Sequence, residues 1–242
     1  VKAPADGYTL VMSSISLAFD TTIYKNLPYD PARDLAPVGL VASQPNILAV
    51  HPSLAVKSVG ELLAQAKARP GAINYASGGS GSGPHLATEL LKMLAGINLT
   101  HVAYKGTGPA LNDLLGGQVQ MMIAVMASTL PHVASGKLRG LAVTGAARSP
   151  GAPEIPTIAE SGVPNYEFNT WYGIQVPAGT PRAVVVQLNA AVLRALQDPD
   201  VRARFAAGGL EPLASTPDEF GAMLRAEIAK WGKVAAAIGA AK

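Results

Sequence analysis

The chain contains no cysteine. That excludes disulfides, thiolate chemistry and cysteine-ligated metal, and it leaves the compartment open. Aromatic residues make up only 5% of the sequence and charged residues 14%, with no run of Lys or Arg and no basic stripe interleaved with aromatics. A nucleic-acid partner is therefore not expected. Long apolar runs are missing too. The longest stretch without a charge, Leu114 to Gly136, includes Gly116, Gly117, Gln118, Gln120, Pro131 and His132. Its apolar part is too short to cross a bilayer, so no membrane insertion is expected. The opening Val1-Lys-Ala-Pro-Ala-Asp6 has none of the apolar core of a secretory signal, and any targeting segment is expected to have been removed or to lie outside the chain. What is present is 242 residues, 49% of them hydrophobic, enough for one large domain or two smaller ones. The 19 basic and 16 acidic residues give a net charge of +3, an excess that suits an acidic small-molecule ligand.

Apolar spacing alternates between strand and helix along the chain. Strands are expected at 8–12, 46–50, 72–76, 99–103, 119–124, 138–144 and 171–176. Helices are expected at 59–68 with Ser58 as N-cap, at 84–95, 109–115 and 129–135, from Thr180-Pro181 through Leu196, and from Pro217 to about Ile238. The Pro- and Gly-rich region from Arg148 to Asn169 reads as connection. Strands separated by such helices predict an α/β fold, with mostly parallel sheets and helices on both faces.

One junction stands out. Tyr75-Ala-Ser-Gly-Gly-Ser-Gly-Ser-Gly-Pro-His85 runs from a strand straight into a helix, with Pro84 suited to the first helical position. Ser80, Gly81, Ser82 and Gly83 then lie where a helix N-terminus opens its unpaired N–H groups, a setting that favours anions. A tight strand-to-helix turn needs the same glycines without any ligand, and both readings stand at this level. The nucleotide motifs fail: no Lys follows the glycines before Lys92, and position 84, where a dinucleotide fingerprint wants a third glycine, is proline. No serine here satisfies Gly-x-Ser-x-Gly, so a nucleophile elbow is unsupported. His85, near the start of the helix, is expected neutral because a protonated ring would oppose the helix dipole. His51, His101 and His132 have no metal-ligand spacing, and neither a metal nor a cofactor is expected. Gly106-Thr-Gly-Pro109 repeats the turn chemistry in the next strand–helix unit.

Ala5-Asp-Gly-Tyr-Thr-Leu10, Tyr24-Lys-Asn-Leu-Pro-Tyr-Asp-Pro31, Tyr75-Ala-Ser77, Pro84-His-Leu-Ala87, Tyr104-Lys-Gly-Thr-Gly-Pro-Ala110, Asp113-Leu-Leu-Gly-Gly-Gln-Val119 and Pro177-Ala-Gly-Thr-Pro181 occur in this order. As a set they resemble the Bug-type solute-binding proteins, the periplasmic receptors of tripartite tricarboxylate transporters. The resemblance implies a two-lobed clamshell that captures a small organic acid and delivers it to membrane permease subunits. It implies a first lobe of residues 1–43 plus 170–242 and a second lobe of 44–169. Carried over by motif, Gly81, Ser82 and His85 would contact ligand from the second lobe, and Ser13, Ser14 and Ser16 from the first. Ser80, Gly83, Tyr104, Ile15 and Trp171 complete the expected binding set, Trp171 being an aromatic before the returning strand that core packing would equally explain. Ser14 stands where such receptors often have Asn, and Ile15-Ser16 replaces small residues. Such receptors also carry a strand, a Pro-Gly-Gly loop and a helix ahead of the first of these motifs. Without them a sheet edge of the first lobe is expected to be open, so that the chain is a fragment or a partner covers that edge.

The function expected is therefore a non-enzymatic, extracytoplasmic receptor for a small carboxylate. Two other readings remain: a hydrolase using Ser80 or Ser82, and a sensory module that reports ligand to a membrane partner.

Overall fold

A computed structural model describes residues 2–23 and 27–237. The motif positions Tyr24, Lys25 and Asn26, and the expected helix end at Ile238, lie outside the described residues. The chain divides into two compact units, Val1–Gln44 with Thr170–Lys242, and Pro45–Asn169.

The first unit opens with β1 (Val11–Ser14), α1 (Ile15–Ile23), α2 (Pro31–Asp34) and β2 (Leu35–Gln44). The second unit follows with β3 (Asn46–Val50), α3 (Val59–Ala68), β4 (Asn74–Ser77), α4 (Gly83–Ala95), β5 (Thr100–Ala103), α5 (Thr107–Leu115), β6 (Met121–Val125), α6 (Met126–Ala134) and β7 (Arg139–Val143). The chain then returns to the first unit through β8 (Thr170–Pro177), α7 (Arg182–Ala195), α8 (Pro199–Ala207), β9 (Glu211–Pro212) and α9 (Pro217–Ala237).

The α/β class holds, but the strand directions correct the expectation of mostly parallel sheets. In the first unit the order is β1-β8-β2-β9 and every neighbouring pair is antiparallel. The cause is the chain path: β2 leaves the unit, β8 brings the chain back, and the returning strand inserts beside the outgoing one. β1 and β2, joined through helices, therefore run the same way but never touch. In the second unit the order is β5-β4-β6-β3-β7, with β4 parallel to β5 and β6, and β3 antiparallel to both β6 and β7. The repeated strand–helix–strand connections impose one direction on β4, β5, β6 and β7, and only the incoming β3 is reversed. All five residues of β3 are buried, as its central place requires.

Both units carry helices on both sheet faces. In the first, Val38 and Val176 pack against Val185 of α7. On the opposite face Trp171 meets Phe220 of α9 edge-on at 5.6 Å, and Phe19 of α1 meets Trp231 in the same way. Position 173 is glycine because a Cβ there would stand 2.4 Å from the Phe220 ring. β1 forms an edge of this sheet, and its Val11 and Met12 are exposed. In the second unit Ala76, Met122 and Ala124 face Ala110 and Leu114 of α5. Alternation along the strands then turns Tyr75 and His101 to the other face, toward α4. That choice of face builds the candidate site.

Candidate functional site: the turn between β4 and α4

The turn from Gly78 to Ser82 is held by its own hydrogen bonds. Gly79 N–H donates to Ser77 Oγ at 3.1 Å, and Gly79 C=O accepts from Ser82 N–H at 3.1 Å and from Ser82 Oγ at 2.7 Å. Gly79 and Gly81 have φ of 121° and 82°, a region that side-chain-bearing residues rarely adopt, and this accounts for glycine at both places. Gly106 N–H ties Gly78 C=O to the next strand–helix turn. α4 begins at Gly83, so Pro84 occupies the second helical position rather than the first, and His85 the third. Ser82 is the N-cap, but its hydroxyl turns back into the turn and makes no capping bond. The N–H groups of Gly83 and His85 thus lie in the first turn, where no i−4 acceptor exists within the helix. No acidic residue occupies that turn. The result is a thirteen-residue helix with an uncompensated positive end.

Behind the turn three rings form a stack. His85 lies 4.3 Å from His101, and His101 lies 4.8 Å from Tyr75, each pair close to parallel. His85 Nδ1 accepts from Gly81 N–H at 3.2 Å, and His101 Nε2 meets Ser77 Oγ at 2.6 Å. Tyr75 donates its hydroxyl to Glu89 Oε1 at 2.5 Å, and Lys92 donates to the same oxygen at 2.7 Å. Burial, followed by the neighbouring His101, pushes His85 down to about 4. Burial likewise lowers His101 and raises Tyr75, the latter helped by Glu89. His85 is neutral at pH 7, as the sequence suggested, and its acceptor Nδ1 makes it the Nε2–H tautomer.

The two lowered histidines carry a stability signature. Between 6.5 and about 4 the unfolded chain binds a proton at position 85 that the folded chain refuses. Stability is therefore complete above pH 7 and is lost as the pH falls through that window. The melting temperature is expected to drop by roughly 2–5 °C between pH 7 and 5, once the shift is discounted for the rings' partial exposure. His85→Asn should flatten the curve; an identical profile for variant and parent would contradict the assignment.

The other residues singled out from the sequence fall in distinct places. Ser80 is exposed on the turn. Tyr104 follows β5 and donates its hydroxyl to Asp113 at 2.7 Å; desolvation and that carboxylate push it up to about 12. In the first unit, Ser13 and Ser14 end β1, whereas Ile15 and Ser16 begin α1, so this segment too is a strand-to-helix junction. Ser13 is buried and donates to Gly173 C=O at 3.0 Å, and Ile15 is buried. Ser14 Oγ and Ser16 Oγ lie 2.7 Å apart on a groove of about 210 Å³ that Asp20 and Tyr29 also line. Trp171 is buried against Phe220.

His101, which the sequence offered only as an ordinary residue, is brought under the turn by the fold. It lies in register with Tyr75 across the parallel β4–β5 pair, twenty-six positions away in sequence. Only the pairing of the two strands, followed by alternation, places it under the turn. Ser77 and His101 have the spacing of a nucleophile and its base, yet Ser77 is fully buried and engaged within the turn. Ser82 Oγ is spent on Gly79, and His85 Nδ1 on Gly81. Among the described residues no group of His, Asp and Glu could hold a metal ion.

Two α/β units joined by two chain crossings, with glycine-rich turns at helix N-termini, are the architecture of periplasmic solute-binding proteins. Known structures agree. The R. palustris protein Rpa4515, solved with adipate, is 39% identical, has a TM-score of 0.84, and matches over 98% of this chain and 80% of its own. The periplasmic binding protein BugD is 32% identical with a TM-score of 0.83, over 100% of this chain and 81% of its own. MatC from Rhodopseudomonas palustris, solved with malate, is 31% identical with a TM-score of 0.80, over 96% and 80%. Protein BugT of Bordetella pertussis is 40% identical over 99% of this chain and 74% of its own length. The model of the tripartite tricarboxylate transporter family receptor matches residues 1–240, and the chain belongs to that family. It is a binding receptor and not an enzyme, which closes the hydrolase reading.

Proposed function

We propose that the protein captures a small organic acid in the periplasm for a tripartite tricarboxylate-type permease, with the β4–α4 turn holding a carboxylate. The observation that carries this reading is the uncompensated N-terminus of α4, open beside a neutral imidazole. A carboxylate there accepts from the Gly83 and His85 N–H groups and from the Ser80 hydroxyl, and its charge faces the positive end of the helix dipole. Gly81 and Ser82 shape the cradle through the bonds that they make within it. Ser14 and Ser16 are proposed as contacts from the first unit. Ser13, Ile15 and Trp171 of the first unit are buried, and Tyr104 of the second is bonded to Asp113, so none of these four side chains is proposed as a direct contact. The adipate and malate carried by two relatives make dicarboxylates the first class to test.

The test is a thermal-shift screen with mono- and dicarboxylates. An acid present at a hundredfold its dissociation constant stabilises the folded state by about 2.7 kcal/mol, which corresponds to roughly 5–10 °C for a chain of this size. No shift with any acid would contradict the proposal. Retention of the permease subunits on the liganded receptor, and not on the free one, would support the transport partner; equal absence in both would count against it.

A further inference from the structure

We propose that His101 is the positioning residue of the carboxylate-binding turn, fixing it at two points through Ser77 and His85. This rests on the reading of the turn as the ligand site. Each end of the turn hangs on one member of the ring stack. At the strand end, Gly79 N–H is received by Ser77 Oγ, which is in turn held by His101 Nε2. At the helix end, Gly81 N–H is received by His85 Nδ1, and the His85 ring rests on His101. His101 therefore touches both supports although it lies on a different strand from the turn. Its own ring is clamped from behind by Tyr75, whose hydroxyl is fixed by Glu89.

The arrangement has a chemical consequence. Gly79 C=O already accepts from Ser82 N–H and Ser82 Oγ. The Ser77 proton goes to the same carbonyl at 3.1 Å, so His101 Nε2–H donates to Ser77 Oγ and His101 is the Nε2–H tautomer, like His85. Protonating His85 would set two donors, its Nδ1–H and Gly81 N–H, against each other and release the helix end of the turn. The titratable and charged groups that face the pair are Tyr75 on β4 and Glu89 and Lys92 on α4, and the last two act on the rings with opposite sign. The turn is thus built to present its N–H groups only while the His85 ring is neutral.

The experiment compares the unsubstituted protein with His101→Ala, His101→Phe and His101→Gln, by amide hydrogen exchange and by titration with adipate. His101→Ala should speed exchange at Gly79 and Gly81 about tenfold or more while β3 stays protected, and should weaken adipate by a similar factor. Phe keeps the stack and loses the bond, so Gly79 should exchange faster with Gly81 near its original rate. Gln keeps a bonding group and loses the ring, so the pattern should reverse. Histidine ring titration should rise toward the ordinary range at His85 in the Ala and Gln variants and stay low in Phe. Unchanged exchange at both glycines in a folded variant would overturn the proposal, and if Ala does not fold, the Phe and Gln patterns decide it. Should the unsubstituted protein bind no acid, the ligand reading fails, and the glycine exchange still judges the positioning role separately.

Discussion

Ser82→Asp is expected to make the protein more stable and a worse receptor. Ser82 is the N-cap of α4 and forms no capping bond, and the first turn of the helix contains no acid. An aspartate there accepts from the His85 N–H and faces the positive end of the dipole, contributing about 1–2 kcal/mol, which outweighs the lost Ser82 Oγ bond to Gly79 C=O at about 0.5–1 kcal/mol. The same carboxylate occupies the cradle. A second carboxylate about 5 Å away meets a repulsion on the order of 3 kcal/mol at an effective dielectric of 20. Affinity for adipate or malate should therefore fall by about two orders of magnitude. Opposite signs in stability and binding are what separate a ligand cradle from a tight turn that serves only the fold. A more stable variant with unchanged affinity would move the ligand elsewhere.

Lys92→Met is expected to cost the second unit about 3 kcal/mol at neutral pH. Glu89 has a side chain only 6% exposed, and its Oε1 is shared by Lys92 and Tyr75. Removing the ammonium leaves the carboxylate buried, with the Tyr75 hydroxyl still donating to it. The loss should also depend on pH in a defined direction. Lys92 pushes both His85 and His101 down, whereas Glu89 pulls both up, so without Lys92 the rings take up protons more readily. A nearby imidazolium then compensates Glu89, and the deficit should shrink between pH 7.5 and 5.5. Denaturant titrations at the two pH values check this; a deficit that does not change would contradict the coupling. Adding Glu89→Gln to Lys92→Met should recover most of the stability, because the uncompensated charge is then gone.

Elements that carry a complete local signal were legible in the sequence. α3 runs from Val59 to Ala68 with Ser58 as its cap, its Oγ accepting from Glu61 N–H, and β3 spans 46–50 as its apolar run indicates. Elements whose pattern is broken or flat were not. β2 is a ten-residue strand, but Pro37 and Gly39 interrupt its alternation, and the register shifts against β8 between Pro37 and Gly39 and between Leu40 and Ala42 absorb the interruption. α8 has no buried residue and so no apolar stripe to read. α1 hid behind the serines of 13–16, which resemble loop chemistry while the apolar face behind them packs on α9. The reversed β3 and the antiparallel first unit follow from the path of the chain between units, which local periodicity does not record.

The candidate site divides along the same line. The glycines, Ser82, Pro84 and His85 are contiguous and announce a strand-to-helix turn at a helix N-terminus. What supports that turn is assembled by topology: Tyr75 and His101 meet only because β4 and β5 pair in parallel with that register, and Glu89 and Lys92 reach them from the second and third turns of α4. The turn's sequence announces a helix N-terminus suited to an acid, and the stack behind it holds the turn in place.

The most direct test of the central claim is an amide-resolved NMR titration of the protein with adipate and with malate. The account predicts saturable binding of at least one of the two, with the largest shifts at the amides of Ser80, Gly81, Gly83 and His85. Saturable binding whose shifts spare residues 80–85, or no binding of any carboxylate in a wider panel, would contradict it.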